Sequence, residues 1–209
     1  MRVLVFGDSI TQGLWDINGG WVSRINRLYT EQTITTKNFE LPVFINLGIA
    51  GDNSQDLLKR IDNEIIARSR NDELAIVIAI GFNDSRVKSG VNFSSPEEYI
   101  NNLAEISTIV RKYTDKILFV GLTPCIESRT NPVAWGPTSY NNNRIRIFNN
   151  ALQGYCNLNK IAFVDVFDVL TEALEKSDIL PDGVHPNDNG HQTIAEIVGQ
   201  SIIGLLGTN

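Results

Sequence analysis

Residues 74–80 read Leu74-Ala75-Ile76-Val77-Ile78-Ala79-Ile80, followed by Gly81-Phe82-Asn83-Asp84. The run is short, rich in isoleucine and free of polar alternation, as expected of a parallel strand covered on both faces; a strand with one wet face would alternate. Outward from it, Arg2–Phe6, Val43–Leu47, Ile117–Leu122 and Ile161–Val166 have the same character. Each is bounded by Gly or polar punctuation and is predicted as a strand. Between them lie longer amphipathic stretches, predicted as helices over Trp21–Tyr29, Ser54–Ala67, Ser95–Tyr113, Asn142–Leu158 and about Asn187 to Leu206. Ser95-Pro96-Glu97-Glu98 supplies a cap, a proline at the first helical position and acids facing the helix dipole. Ile194, Val198, Ile202 and Leu205 fall on one face of the last helix.

Strands alternating with helices predict an α/β fold. Five strands are too few for a (β/α)₈ barrel. The economical architecture is a three-layer α/β/α sandwich with a flavodoxin-like, five-stranded parallel sheet in the order 2-1-3-4-5. The chain has 209 residues, with no repeat and no linker, and is expected to form one domain over residues 1–209.

Composition excludes several function classes. Net charge is −6, with 42% hydrophobic and 20% charged residues, and Lys and Arg form no stripe, so no nucleic-acid partner is expected. Val3-Leu4-Val5-Phe6 falls far short of a signal-peptide apolar region, and no apolar stretch approaches the roughly 20 residues that span a bilayer. The expectation is a cytoplasmic protein without stable membrane association. Cys125 and Cys156 are too few for a disulfide framework and read as buried small hydrophobes. No His, Cys or carboxylate cluster has metal-ligand spacing, so neither metal nor cofactor is expected. No heptad or interface signature specifies an oligomeric state.

Ligands of open parallel sheets bind beyond the carboxyl ends of the strands. There the sequence places Gly7-Asp8-Ser9-Ile10-Thr11, Gly48-Ile49-Ala50-Gly51-Asp52 and Gly81-Phe82-Asn83-Asp84. Acyl transfer needs a nucleophile, a base, a group that orients the base, and donors for the oxyanion. The two histidines are His185 and His191. His185 lies in Asp182-Gly183-Val184-His185-Pro186, where an acid three residues upstream can reach Nδ1 and leave Nε2 free. His191, in Asn189-Gly190-His191-Gln192, reads as a solvated helix residue. Asp8 and Asp84 are expected to brace their turns, Asp52 to cap the next helix, and Asp165 to be buried and hydrogen-bonded, with an Asp165–His185 pair as an alternative.

These blocks resemble those of the SGNH (GDSL-type) hydrolase family, in the family's order and over nearly the whole chain. Gly-Asp-Ser-Ile departs from the GDSL label only at Ile10. The resemblance implies Ser9 as nucleophile, His185 as base, Asp182 as its orienting acid, and an oxyanion hole of the Ser9 and Gly48 N–H groups with the Asn83 amide. The implied substrate is a small-molecule acyl ester. Short-chain or acetyl esters, possibly of sugars, are expected, with lysophospholipids and acyl thioesters as alternatives. The Gly-x-Ser-x-Gly elbow of α/β-hydrolases is incomplete here. A flavodoxin-like phosphate-binding module would leave Asp182 and His185 unexplained. The segment Pro124–Tyr140 is long for such a connection and reads as a lid or binding loop whose Trp135, Arg129 and Tyr140 give an apolar surface with one cation. A stiffened surface loop with Trp135 packed down is the other reading. Trp15 and Trp21 are either core or pocket residues.

Overall fold

The computed structural model describes residues 1–70 and 72–207. The apolar runs become β1 (Arg2–Gly7), β2 (Val43–Gly48), β3 (Leu74–Ala79), β6 (Ile117–Val120) and β8 (Ala162–Val164), all parallel, in the order β2-β1-β3-β6-β8. Counting only these five gives the expected 2-1-3-4-5. Gly7 pairs with Gly48 on one side and Ala79 on the other, so three strands end level with one another. Residues 74–78 are buried throughout, as a sheet covered on both faces requires.

The helices α2 (Gly20–Thr36) and α7 (Asp188–Leu206) pack against each other, and α3 (Ser54–Ser69), α4 (Pro96–Val110) and α5 (Asn142–Asn159) pack in succession, completing an α/β/α sandwich. The capping box of α4 forms as predicted: Ser95 Oγ accepts from Glu98 N–H at 3.1 Å, and Glu98 accepts from Ser95 N–H at 2.8 Å. Helix α2 outruns its predicted end at Tyr29. The hydroxyls of Thr30, Thr33 and Thr36 donate back to carbonyls four residues earlier, so its last turns are polar helix without an apolar face. The N-cap of α3 is Asn53 rather than Asp52; Asp52 instead pairs with Arg60 at 2.8 Å.

Further elements lie outside the predicted set. Ser9–Gln12 forms one helical turn, α1, and Phe167–Lys176 forms α6, whose apolar Phe167 and Leu170 are one turn apart and buried. A second, small antiparallel sheet joins β4 (Val87–Lys88) to both β5 (Val91–Asn92) and β7 (Thr138–Ser139). Its strands are two residues long, too short to leave a periodic signal. Cys125 and Cys156 are buried free thiols, which burial pushes up to about 11 and about 12. Among the described residues no helix is long and apolar enough to cross a membrane.

His191 is a correction. Rather than being solvated, it is fully buried beneath the Gly13–Gly20 loop, with Cε1 3.7 Å from where a Cβ on Gly20 would lie. Burial lowers its imidazole to about 4, with Asp16 opposing and Arg24 assisting. The native state therefore keeps His191 neutral while the unfolded chain takes up a proton below the ordinary value of 6.5. Stability on this account is full above that value and falls toward pH 4, by at most about 1.4 kcal/mol per pH unit. Asp8, raised to about 7 chiefly by desolvation, has the opposite slope over the same window. The difference between wild type and His191→Leu isolates the histidine. As pH falls from 6.5 to 4, denaturation midpoints should move in favour of the variant; parallel curves would contradict this.

Candidate active site

The turn after β1 is fixed from both ends. Asp8 is the N-cap of α1 and its carboxylate accepts from Ile10 N–H at 3.0 Å. Gly13 closes the turn at φ 87°, its N–H bonding Ser9 O. Ser9 is the first helical residue, so its own N–H has no intrahelical acceptor. The side chain is small and 8% exposed.

The second component is the loop between Ile179 and Asn187. Asp182 Oδ1 accepts from Val184 N–H at 2.9 Å and His185 N–H at 2.8 Å, while Oδ2 meets His185 Nδ1 at 2.6 Å. A carboxylate can only accept, so Nδ1 carries the hydrogen and Nε2 faces Ser9 Oγ at 2.9 Å as an acceptor. Desolvation works to raise the Asp182 carboxyl. The imidazole and the two backbone donors outweigh it and hold the group at about 2, so it stays ionised well into acid. Gly183 sits at φ 90°, and a Cβ there would lie 2.7 Å from Arg129 Cβ. Asp165 takes no part; it accepts from Asn149 and from Phe167 N–H.

Asn83, after β3, is buried with its Nδ2 on the Asp52 carbonyl at 2.9 Å and its Oδ1 receiving the Tyr140 hydroxyl at 2.8 Å. Asp84 bonds Ser54 through both its N–H (2.9 Å) and its hydroxyl, tying the β3 loop to the start of α3 rather than bracing its own turn. Ser9, His185, Asn83 and Gly51 border one pocket of about 360 Å³. Trp15 and Trp135 border it too, 67% and 55% exposed, so neither is core; Trp21 is. The Trp135 ring lies 5.7 Å from that of His185. Trp15 holds φ 66°, a conformation costly for a bulky residue. Arg129 is no free cation at the mouth, because its guanidinium is bound to Asp178 and the Leu180 carbonyl.

Gly48 does not reach the pocket. It belongs to β2, its N–H is taken by Asn46 Oδ1 at 3.0 Å, and its missing Cβ makes room for α1: an added carbon would lie 2.3 Å from Gln12 N and 2.8 Å from Asp8 O. The glycine that borders the pocket is Gly51, at φ 84° with no atom within 4 Å of an added Cβ. The two glycines look alike in the sequence; the register of β2, which runs through Gly48 and stops short of Gly51, is what separates them.

Among the described residues no group of three or more His, Cys, Asp or Glu could hold a metal ion.

Residues 5–193 match the profile of the GDSL-like Lipase/Acylhydrolase family. A Bacillus subtilis relative, YpmR, is 23% identical over 96% of this chain and 80% of its own length. Among solved structures, a lipase/acylhydrolase from Enterococcus faecalis superposes with TM-score 0.76 at 22% identity, covering 97% of this chain and 95% of its own. Axe2, an acetylxylan esterase from Geobacillus stearothermophilus, does so with TM-score 0.71 at 19% identity, covering 100% and 94%.

The two glycines separate experimentally. Gly48→Ala drives a Cβ into backbone and should lower unfolding free energy by about 2 kcal/mol or more. Gly51→Ala meets open space and should cost about 1 kcal/mol through its positive φ alone. Urea midpoints read both; equal stability of the two variants would contradict this packing.

Proposed function

The chain belongs to the GDSL-like lipase/acylhydrolase family, and from that premise we propose that it hydrolyses carboxylic esters through an acyl-serine intermediate. The observation that carries this reading is the Asp182–His185–Ser9 relay, with contacts of 2.6 and 2.9 Å at opposite nitrogens of one ring. Ser9 Oγ attacks the acyl carbon as its proton passes to His185 Nε2. Asp182 stabilises the imidazolium that results. The negative oxygen is received by the N–H groups of Ser9 and Gly51 and by the Asn83 Nδ2 hydrogen that otherwise makes only a long, 3.5 Å contact with Asp8 Oδ2, Gly51 taking the place expected of Gly48. Collapse breaks the ester C–O bond, and His185 returns the proton to the departing alcohol. A water then repeats the sequence on the acyl-serine, releasing the acid and restoring Ser9.

The preferred substrate on this reading is a short acyl ester, acetyl above all, of a sugar or another small alcohol. A volume of about 360 Å³ is at the small end of ligand pockets. Between Pro124 and Tyr140 the only helical element is the three-residue turn Glu127–Arg129, which offers no amphipathic helix to dock on lipid. The exposed indoles of Trp15 and Trp135 suit the apolar face of a sugar ring. Axe2, similar in fold, is an acetylxylan esterase.

A fluorophosphonate probe should label Ser9, and Ser9→Ala should abolish both labelling and ester turnover while the thermal midpoint holds. A folded Ser9→Ala variant that retains substantial kcat rules out the nucleophile assignment. With a panel graded from acetyl to long-chain acyl esters and including acetylated sugars, acetyl esters should turn over best. Trp135→Ala should reorder the alcohols preferred with little change in stability. Efficient long-chain hydrolysis with acetyl esters barely touched would contradict the substrate reading.

A further inference from the structure

The side-chain amide of Asn83 presents nearly the same shape whichever way it faces, yet only its NH₂ end can receive a negative oxygen; its carbonyl end would repel one. Something must choose between the two orientations. The Asp52 carbonyl, 2.9 Å from Nδ2, can only accept and holds one amide hydrogen, and Asp8 Oδ2 lies 3.5 Å from the same nitrogen. On the other end, Tyr140 Oη lies 2.8 Å from Oδ1. A phenol can donate or accept, so this contact alone would not discriminate. With the Asp52 carbonyl holding the NH₂ end, the atom that faces the phenol is the amide oxygen, which can only accept, so the phenol proton goes to Asn83 Oδ1. Burial raises the Tyr140 phenol well above its ordinary range despite Arg86, so the proton stays on it at any working pH.

Tyr140 is itself held firmly. Its ring packs on Phe82 with centroids 4.5 Å apart. Its N–H donates to Thr130 O at 2.9 Å, and its carbonyl accepts from Thr130 Oγ1 at 3.0 Å, closing the base of the 130–140 loop. The adjoining β7 pairs with β4, which follows Asn83 by only a few residues. The hydroxyl and the amide it meets are thus fixed in one frame.

We propose that Tyr140 is a positioning residue of the hydrolytic site, donating to Asn83 Oδ1 so that the amide NH₂ faces the developing oxyanion. The proposal rests on the reading of Asn83 as an oxyanion donor. It assigns the long segment after β6 a part in the chemical step, separate from any contact that Trp135 makes with substrate.

Tyr140→Phe keeps the ring on Phe82 and removes only the hydroxyl. On an acetyl ester, kcat should fall about tenfold, the scale of one lost hydrogen bond, with KM within about twofold of wild type. Placing 4-aminophenylalanine at position 140 restores a donor and should recover most of the loss. Asn83→Ala should lower kcat by about 10²–10³, and adding Tyr140→Phe to it should cost nothing more. Fully additive losses, or an effect of Tyr140→Phe confined to KM or to the thermal midpoint, would overturn the proposal while leaving the oxyanion role of Asn83 in place. An Asn83→Ala enzyme with undiminished kcat would instead remove that role, and the proposal with it.

Discussion

The single turn of α1 lies so close to the ends of β1 and β2 that neither strand can end in a residue with a Cβ. A carbon added at Gly7 would sit 2.1 Å from Thr11 Oγ1 and 2.6 Å from the Ala79 carbonyl; one added at Gly48 would strike the backbone at Gln12. Two bare strand ends in register let the turn seat on the sheet edge, and that seating puts Ser9 level with the loops after β2 and β3. Arg60 reinforces the junction, bonding the carbonyls of both Gly7 and Leu47 while paired with Asp52. The distance from Ser9 to His185, which arrives from the far end of the chain, depends on this contact more than on any side chain in the pocket.

The sheet was legible because its signal is strong and local. Residues 74–80 are apolar without alternation, and five such runs separated by amphipathic stretches leave few topologies. Ser9, Asn83, Asp182 and His185 could be named from short motifs at strand ends or in a Gly-Pro loop, and the fold brings Ser9, Asn83 and His185 to one pocket with Asp182 bonded behind the imidazole. The departures have physical sources. Gly48 and Gly51 look alike in sequence, and only the register of β2 shows that the first is still in the ladder. His191 follows a cap in a helix whose first turns could face water; its burial depends on the Gly13–Gly20 loop folding over it. Tyr140 and Arg129 look in the sequence like the surface of a loop. Their partners, Asn83 and the Leu180 carbonyl, are each some fifty residues distant in sequence, beyond the reach of any local pattern.

Carboxylates crowd the surroundings of Asn83, where the proposed chemistry develops negative charge. Asp8 and Asp84 are buried and Asp52 is half-buried; desolvation raises all three, and Asp8 reaches about 7. Each is answered by neutral or cationic partners: Ile10 N–H for Asp8, Arg60 for Asp52, Ser54 for Asp84. Such a setting suits an amide rather than a cation at position 83. A lysine or arginine there would be drawn into ion pairs with the carboxylates, whereas the amide meets Asp8 Oδ2 only at 3.5 Å and brings no charge of its own.

The segment from Pro124 to Tyr140 divides into parts with unequal freedom to change. Its base is committed: Thr130 and Tyr140 bond to each other, Arg129 straps the loop carrying Asp182, and Thr138–Ser139 pairs with β4. Between them Ala134 and Trp135 are exposed, while Val133 and Tyr140 on either side are buried. Mutation at the crest can therefore remodel the mouth of the pocket without loosening the machinery beneath it. Drift in what the enzyme accepts would accumulate at two or three positions there, with the catalytic frame inherited unchanged.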